Sequence, residues 1–392
     1  MCLRLCLALL AGGFFLVPSV GLAGKGCCRP YEMQRTLVED FRKAGVLLVG
    51  TFNNAREGVP LDGPAENLVD LDIERVLKDQ GIVAGTKKLT VPMGIDPRGL
   101  KFVVFAEVKK GSLDIFRIEV ASKDGDLVRY LQGAIELHDR TPAERLAYAL
   151  PHVDSKNDTI CNDAYREFAT ADLKDLRTVG SKTDPRVLIA RLKDPKTPAW
   201  QFGLYATLLG HCGKAEHGRF LERLIEDRVR HNGYGQHSML AAYVMLEPDR
   251  GWRYLERNVL AHANKSDFHT FYAGLRCLRY LWAQEPDVVG RDRLARAALA
   301  LAESPEVADF AIDDLRQWKR WEATDAVISL AGRTSHGHGV IQRAALRFSL
   351  QSPTVNAAVY VAHRRDLDPD EVEAMRDALK LESAPPPPSI RD

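Results

Sequence analysis

The stretch VDLDIE, residues 69–74, decides the fold of the first third of the chain, because its apolar and acidic residues alternate without interruption. In an extended chain, successive side chains point to opposite faces. Val69, Leu71 and Ile73 therefore share one face, and three carboxylates share the other. This period of two predicts a half-buried β-strand.

Four further stretches near this strand are also typical of short strands, with Gly and Asp residues between them. They cover residues 46–52, 102–108, 113–120 and 127–131. A helix precedes the set, since Leu37, Phe41 and Ala44 recur at steps of four and three. Five or six short strands behind one helix predict a small antiparallel β-barrel or sandwich over residues 24–140.

From about Thr141 the apolar residues recur at steps of three and four, which is the period of an amphipathic helix. Helix starts are marked by a capping residue followed by proline, as at Thr141–Pro142 and Asp184–Pro185. Clear apolar stripes lie at Phe268, Phe271, Leu275, Leu278 and Trp282, at Ile341, Ala345 and Phe348, and at Val355, Val359 and Ala362.

The predicted helices fall into pairs that begin about every 30–40 residues, within the range of helical solenoid repeats. We therefore predict a HEAT-like α-solenoid over residues 141–382, with a compact α-bundle as the alternative. The proline run at residues 385–388 predicts a disordered, Pro-rich tail at residues 383–392. The whole chain is thus predicted to be α+β and multidomain.

The first 23 residues have the features of a secretory signal peptide. Arg4 precedes an apolar run over residues 5–23, and Gly21 and Ala23 place small residues before a cleavage site. The alternative is an uncleaved membrane anchor, because this 19-residue run approaches the roughly 20 residues that span a bilayer. Cleavage after Ala23 predicts an exported, soluble protein in the periplasm or outside the cell.

Five cysteines remain after this cleavage, so at least one thiol is expected to lack a partner within the chain. Disulfides are permitted in an exported protein. Cys161, Cys212 and Cys277 lie in apolar helical stretches, where we expect them to pack as small hydrophobic side chains. The adjacent Cys27 and Cys28 precede the leading helix directly.

This order of two cysteines, a helix and the strand VLLVG (residues 46–50) resembles the netrin-like domain, an OB-type barrel, over residues 27–139. In that family, amino-terminal cysteines form disulfides that fix the start of the chain to the barrel. The resemblance implies such a disulfide from Cys27 or Cys28 to a cysteine elsewhere, of which Cys161 is nearest in sequence to the end of the barrel region. Residues 44–139 contain no cysteine, so the partner positions of that family are missing here.

Over nearly its whole length, the chain is also similar to a family of exported bacterial proteins that has no assigned activity. The stretches that carry this resemblance are NDAYREFA (162–169), GLYATLLGHCG (203–213) and DDLRQWKRWE (313–322). The resemblance implies a netrin-like or OB-like domain followed by HEAT-like repeats, and it implies no activity.

The charges of the chain nearly cancel, with 54 Lys and Arg against 53 Asp and Glu, so no global field would attract nucleic acid. The sequence also lacks the local motifs of zincins, nucleophile-elbow hydrolases, P-loop proteins, EF-hands and c-type haem attachment. We therefore predict no catalytic residue, no metal site and no cofactor.

Histidine-rich stretches are the weak candidates for metal binding, since imidazole and thiolate are good zinc ligands. Ordinary roles at helix ends and in a polar connector between helices are the favoured interpretation. The residues concerned are His211, Cys212, His217, His231 and His237 in one helical pair, and His336 and His338 in a later connector.

Trp318, Arg320 and Trp321 are the candidate interaction surface. They lie in a stretch predicted to form one helix, residues 313–322, in which Leu315 and both tryptophans share a face by steps of three. Trp and Arg dominate the energetics of protein interfaces. The alternative places this face against the next helix.

The predicted function is protein–protein binding to an unidentified partner in the cell envelope, because stacked helix pairs present a long concave surface. One alternative is a hydrolase-type enzyme with its site at the junction of the β and helical regions. Another is a structural envelope protein anchored by residues 5–23. The junction carries seven side chains suited to acid–base chemistry or to helix capping, namely His138, Asp139, Glu144, His152, Asp154, Asp158 and Asp163.

Overall fold

The structure, a computed structural model, describes residues 35–57, 67–92, 99–109, 112–121, 125–262 and 268–383. Within these residues the chain is α+β, with a five-stranded antiparallel sheet followed by many helices. The predicted signal peptide, Cys27, Cys28 and residues 384–392 of the predicted tail lie outside the described residues. Ser383, predicted to begin that tail, is the last residue of a helix instead.

The sheet follows a short helix, α1 (Leu37–Lys43), which leads directly into the central strand. The strands are β1 (Val46–Glu57), β2 (Asn67–Lys78), β3 (Lys88–Pro92), β4 (Lys101–Lys109) and β5 (Ser112–Val120). They are hydrogen-bonded in the order β3-β2-β1-β4-β5, and all neighbouring pairs are antiparallel. The return of β4 to the side of β1 makes the first four strands a Greek key.

One face of the sheet forms a single apolar core to which all five strands contribute. The strand predicted for residues 69–74 is confirmed, since Val69 and Leu71 are fully buried in β2 and Ile73 packs against the core. Asp70, on the other face, is buried as well, because Asn54 and Thr90 donate hydrogen bonds to its carboxylate. The central strand is buried on both faces, and α1 packs against β4. The core consists of Val46, Leu48, Phe52, Val69, Leu71, Val83, Val91, Phe102, Val104 and Ala106, with Ile115 and Ile118 of β5 packed against it.

Residues 127–131, predicted to form the last strand, belong instead to helix α2 (Asp126–Glu136). A five-residue apolar window is too short to separate the strand period from the helix period. The longer window does separate them, because the buried residues recur at helical spacing. These residues are Leu127, Val128, Tyr130, Leu131 and Ala134.

The rest of the described chain is helical. Its helices are α3 (Pro142–Ala149), α4 (Asp158–Thr170), α5 (Leu173–Lys182), α6 (Pro185–Lys193), α7 (Phe202–Cys212), α8 (Ala215–Glu226), α9 (Arg228–His231), α10 (Gln236–Leu246), α11 (Pro248–Asn258), α12 (Phe268–Gln284), α13 (Pro286–Val289), α14 (Arg291–Leu301), α15 (Ala308–Gln317), α16 (Thr324–Ala331), α17 (Gly339–Gln351), α18 (Val355–Leu367) and α19 (Pro369–Ser383).

The chain divides into two compact units, with residues Lys25–Ala297 in the N-terminal unit and Ala298–Asp392 in the C-terminal unit. The sheet and helices α1 to α13 therefore lie in one unit. The predicted domain boundary near residue 140 is not the point at which these units divide, and it remains a prediction. No helix in the described ranges has both the length and the apolar character needed to cross a membrane.

Alternate helices pack on one another within each unit. In the N-terminal unit α3 packs on α5, α5 on α7, α7 on α10 and α10 on α12, while α6, α8 and α11 lie against this row. In the C-terminal unit α15 packs on α17 and α17 on α19, with α16 and α18 beside them. Each helix thereby buries one side, as its amphipathic sequence requires.

The apolar stripe predicted for α18 faces outward. Val355 and Val359 are 77% and 63% exposed, whereas Ala357 and Val361 are buried. This helix has apolar residues on more than one side, so two apolar stripes were compatible with its sequence. The stripe that contains Val361 is the buried one, and Val361 packs in the core with Val372. The stripe predicted for α17 is confirmed, because Ile341, Ala345 and Phe348 are fully buried.

The helix predicted over residues 313–322 ends early. Helix α15 stops at Gln317, and Lys319 adopts a left-handed conformation with φ of 56°. The N–H of Arg320 donates to the carbonyl of Leu315 at 2.9 Å, and that of Lys319 donates to Arg316 at 3.0 Å. This is a Schellman motif in which lysine occupies the position that usually holds glycine.

We expect Lys319→Gly to raise the free energy of unfolding by about 0.5–1 kcal/mol. A side chain in the left-handed region costs roughly 1–2 kcal/mol, part of which the greater freedom of glycine in the unfolded chain offsets. Urea denaturation of the full chain measures the change. The matched control is Lys380→Gly within α19, which should lower stability by about 1 kcal/mol. Equal losses for both variants would contradict the role assigned to Lys319.

Candidate functional site

A cleft of about 730 Å³ lies between helices α3, α5, α6 and α7, and we call it the α3–α7 cleft. Its walls are mostly apolar, and a few charged side chains are among the lining residues. Ligand sites in proteins are typically concave, apolar and about 300–1,000 Å³ in volume. The apolar lining consists of Ala143, Ala147, Leu150, Pro151, Val179, Val187 and Leu188.

Helix caps position the walls of the cleft. A capping box precedes α3, in which Thr141 accepts from the N–H of Glu144 at 3.3 Å and Glu144 accepts from the N–H of Thr141 at 2.9 Å. Asp184 caps α6 by accepting a backbone N–H at 2.9 Å. Both caps were predicted from the sequence. A 3-10 turn, Leu150–Asp154, then brings Asp154 into the lining of the cleft.

The carboxylate of Asp154, which lines the cleft, is engaged by neighbouring side chains. The Tyr205 hydroxyl donates to Asp154 Oδ1 at 2.6 Å, and Arg191 Nε lies 2.8 Å from Oδ2. Burial, and then the hydrogen bond to Asp154, raise the pKa of Tyr205, so the phenol stays protonated. Both carboxylate oxygens are therefore occupied.

The lining of the cleft also includes a free cation. Lys182 is exposed, lines the cleft and forms no ion pair or hydrogen bond with any described residue. Glu144 also lines the cleft, and the two residues do not form an ion pair. The pKa of Glu144 lies below its usual value, because Thr141 donates two hydrogen bonds to it and, to a smaller extent, because Arg140 and Lys182 are near.

A second polar cluster joins the sheet to the helices. The Asp163 side chain, on α4, is 1% exposed. Its Oδ1 accepts the N–H of Leu37 at the start of α1 at 2.7 Å, and its Oδ2 accepts the hydroxyl of Tyr130 at 2.8 Å. Burial raises the pKa of Asp163 to about 6. His152 packs edge-on against Tyr130 and tilted against Tyr148, and burial lowers the pKa of its imidazole.

The cavity within this cluster is small. The cavity beside Tyr130, Tyr148 and Glu167 has a volume of about 10 Å³, which is close to the space that one water molecule needs. Asp163 anchors α1 to α4 through its hydrogen bond to the N–H of Leu37.

The seven junction residues are distributed over several environments. Glu144 and Asp154 line the α3–α7 cleft, and His152 and Asp163 belong to the buried cluster. His138 Nε2 lies 3.0 Å from Asp139 at the end of α2, and Asp158 is in the first turn of α4. The structure thus does not bring the seven side chains together.

The described cysteines are not disulfide-bonded to one another. The Cys161 thiol donates to the carbonyl of Val153 at 3.0 Å, and burial raises its pKa. Burial also raises the pKa of Cys212, to about 11. Neither thiol is therefore activated as a nucleophile. The disulfide predicted from Cys27 or Cys28 to Cys161 remains a prediction.

The histidines singled out in the sequence have separate surroundings. His211 Nε2 lies 2.8 Å from the Tyr280 hydroxyl, and His231 Nε2 lies 3.0 Å from the carbonyl of Ile225. His336, expected in a polar connector, is buried with its Nε2 3.0 Å from a carbonyl. Within the described ranges, no three His, Cys, Asp or Glu side chains are placed to hold a metal ion.

The side chains of the predicted interaction surface are only partly accessible to solvent. Trp318, Arg320 and Trp321 are all partly buried, and Trp321 stacks edge-on against the core residue Phe348 at 5.2 Å. Arg320 forms an ion pair with Glu322 at 2.5 Å. The three side chains do not share one helical face, because α15 ends before them. Their role in partner binding remains a prediction.

Sequence reasoning missed three side chains of the cleft, namely Lys182, Arg191 and Tyr205. They come from α5, α6 and α7, and each sits in an ordinary amphipathic stretch with no local motif. The only local signals were the caps at Thr141 and Asp184, which locate helix starts and say nothing about which helices form a cleft.

Comparisons with protein-family models, with curated proteins and with solved structures find no match for this chain. Function is therefore inferred from the geometry and chemistry of its own residues.

Proposed function

We propose that this protein is an exported scaffold that holds an extended segment of a partner protein in the α3–α7 cleft. The observation that carries the proposal is the pairing of apolar walls with one cation, Lys182, that forms no ion pair or hydrogen bond with a described residue. Asp154 adds no net charge to the lining, because Arg191 compensates it. A peptide segment with a large apolar side chain next to an Asp or Glu complements both features.

Binding is better supported than hydrolysis. A general base needs a carboxylate or imidazole that can reach a substrate proton. Asp154 is already engaged by Tyr205 and Arg191, and Glu144 is held in its capping box. No imidazole is among the described residues that line the cleft.

The finer architecture is part of the proposal. An OB-like, netrin-like barrel is supported by the Greek-key order of the strands and by a core shared by all five, since OB folds are partly open Greek-key barrels. A HEAT-like solenoid is supported by the packing of alternate helices in each unit. Such a stack presents partner-binding clefts between successive helix pairs.

Export to the periplasm or beyond is supported by the signal-like residues 1–23. The partner is accordingly a protein of the cell envelope. A mature chain cut after Ala23 is soluble, and membrane contact requires that the N-terminal segment be retained.

A displayed library of random peptides, selected on the purified mature chain, tests the proposal. We expect enriched peptides to share a large apolar residue beside an Asp or Glu. Ala147→Trp should weaken binding of a synthetic consensus peptide at least tenfold, about 1.4 kcal/mol, because Ala147 is exposed inside the cleft and an indole would fill it. Fluorescence anisotropy measures the affinity.

Matched controls separate the cleft from general surface effects. Ala190→Trp places an indole on an exposed position of α6 that does not line the cleft. Lys182→Glu should reverse the charge preference of the selected peptides, whereas Lys174→Glu, also exposed on α5, should not. Peptides with no common charge, or equal losses for Ala147→Trp and Ala190→Trp, would contradict a role for the cleft.

A further inference from the structure

Helix α18 has apolar residues on the side that faces away from its own unit. It packs against α16, α17 and α19. Val355 and Val359 are nevertheless exposed, and so are Ala358 and Ala362. These four residues stand at positions i, i+3, i+4 and i+7, so they share one face of the helix. We call them the outer stripe of α18.

The opposite side of α18 is the side that packs in the unit. Ala357 and Val361 are buried there, and Tyr360 and Arg364 are half-buried. A surface helix typically has charged and polar residues opposite its buried face, whereas a helix that is apolar on two sides is typical of packing on both. In the described part of the chain, only one of the two sides of α18 is packed.

A carboxylate and an imidazole lie beside the outer stripe. Asn356 and His363 are seven residues apart, close to two helical turns, so they lie on the same side of the stripe. Asn356 Nδ2 donates to Asp325 Oδ1 of α16 at 2.6 Å, which holds this carboxylate on that side. Asp325 and His363 are exposed, and neither forms an ion pair with a described residue.

We propose that α18 docks against α18 of a second copy of this chain, as an antiparallel pair about a two-fold axis beside Val359. Such an axis, perpendicular to the helices, brings the same side of each helix together. His363 of one copy then faces the partner's Asp325, and this contact forms twice. An imidazole N–H can donate to a carboxylate in either protonation state of the ring. A parallel pair brings opposite sides together and forms neither contact.

The outer stripe is also complementary to itself in this arrangement. The Val359 side chains of the two copies meet at the axis, and the small side chain of Ala362 lies between the partner's Val355 and the partner's Val359. Asp366 continues the line of the stripe by a step of four, so it lies near the N-terminal end of the other α18. The helix dipole favours an anion there, and no acidic residue occupies the first turn of α18.

This inference does not depend on the proposed role of the α3–α7 cleft, because it concerns residues of the C-terminal unit alone. Helix α18 has 13 residues and is therefore about 20 Å long. One helix face of this length buries less than about 1,200 Å² in a dimer, which is typical of weak and transient association.

Sedimentation velocity of the full mature chain tests the proposal. We expect a monomer–dimer equilibrium with a Kd on the order of 100 μM, measured from about 5 to about 500 μM protein. Val359→Asp should weaken association at least tenfold, because it places two carboxylates at the axis. The matched control is Val229→Asp, which should leave the Kd unchanged, since Val229 is exposed on α9 of the N-terminal unit.

Cysteine cross-linking tests the antiparallel direction. Val359→Cys should give a disulfide-linked dimer on mild oxidation, because a disulfide joins Cα atoms within about 7 Å of each other. Val355→Cys should not, since Val355 is about 6 Å from Val359 along the helix and its two copies are about 12 Å apart in an antiparallel pair. The wild type measures cross-linking through the native cysteines.

Circular dichroism checks that each variant is folded. The proposal is overturned if the wild type remains a monomer at about 500 μM. It is also overturned if Val359→Asp and Val229→Asp associate alike, or if Val355→Cys cross-links as readily as Val359→Cys.

Discussion

Replacing Arg316 by Met is expected to lower the free energy of unfolding of the C-terminal unit by about 3 kcal/mol. The guanidinium is 4% exposed and has three partners from three helices. Its Nε lies 2.8 Å from Asp313, its Nη1 donates to Gln351 at 2.9 Å, and its Nη2 donates to Glu382 at 2.8 Å. Removing one member of a buried ion pair costs about 3–5 kcal/mol, and the low end applies here because both carboxylates keep some contact with solvent.

The loss should be largest where α19 meets the rest of the unit. Glu382 lies near the end of α19, and it bonds to Arg316 of α15 and to Arg347 of α17, the latter at 2.7 Å. Without Arg316, the carboxylates of Asp313 and Glu382 would have Arg347 as their one remaining cationic partner in this network. In the full chain, Arg316→Met should therefore increase the rate of amide hydrogen exchange more in α19 than in α16, relative to the wild type. Urea denaturation measures the total loss in the free energy of unfolding.

Arg343→Met is the matched control, because Arg343 is an exposed arginine on α17 of the same unit. It should change stability by no more than about 0.5 kcal/mol. Glu382→Gln is an intermediate case that keeps an acceptor for Arg316 and loses the charge, and we expect a loss of about 1 kcal/mol. Equal stabilities for Arg316→Met and Arg343→Met would mean that the network does not hold α19 in place.

Features that depend on neighbouring residues in the sequence could be predicted. The alternation at residues 69–74 correctly predicted a strand, because one side of β2 packs in the apolar core. The caps at Thr141 and Asp184 gave helix starts, because the side chain that caps a helix is within three residues of the N–H it accepts.

Features that depend on distant residues could not be predicted. Helix α18 is apolar on two sides, and only its neighbours decide that Val361 faces inward while Val359 faces solvent. Lys319 ends α15 in a conformation that its residue type disfavours. The cleft is assembled from α3, α5, α6 and α7, so the meeting of Asp154 with Arg191 follows from packing and not from spacing.

Asp163→Asn is expected to remove a pH dependence from the stability of the N-terminal unit. Burial raises the pKa of Asp163 from 3.8 to about 6, so the native state binds a proton that the unfolded chain does not bind between these values. The stability that this proton contributes is fully present below about pH 4 and is lost as the pH rises through about 6. As the pH falls from about 7.5 to about 4.5, the free energy of unfolding of the wild type should rise by on the order of 2 kcal/mol relative to that of Asp163→Asn.

The asparagine variant isolates this one carboxyl group. The amide oxygen of Asn can accept from the N–H of Leu37, and its NH₂ group can donate to the Tyr130 oxygen, so the two contacts of Asp163 are retained. Glu167, four residues further along α4, also has a pKa raised by burial, but it is present in both proteins. Its contribution cancels when the stability of the variant is subtracted from that of the wild type at each pH. Arg117, a cation that acts on Asp163, is likewise unchanged.

Asp163→Ala separates the hydrogen bonds from the titration. It leaves the N–H of Leu37 and the hydroxyl of Tyr130 without an acceptor in a site that excludes water, which should cost about 2–3 kcal/mol relative to Asp163→Asn at every pH. Chemical denaturation at a series of pH values measures all three proteins. If the difference in free energy of unfolding between the wild type and Asp163→Asn does not change as the pH falls, Asp163 has the same pKa in the folded and unfolded chains. This result would contradict the burial of the Asp163 carboxyl group at the junction between the sheet and the helices.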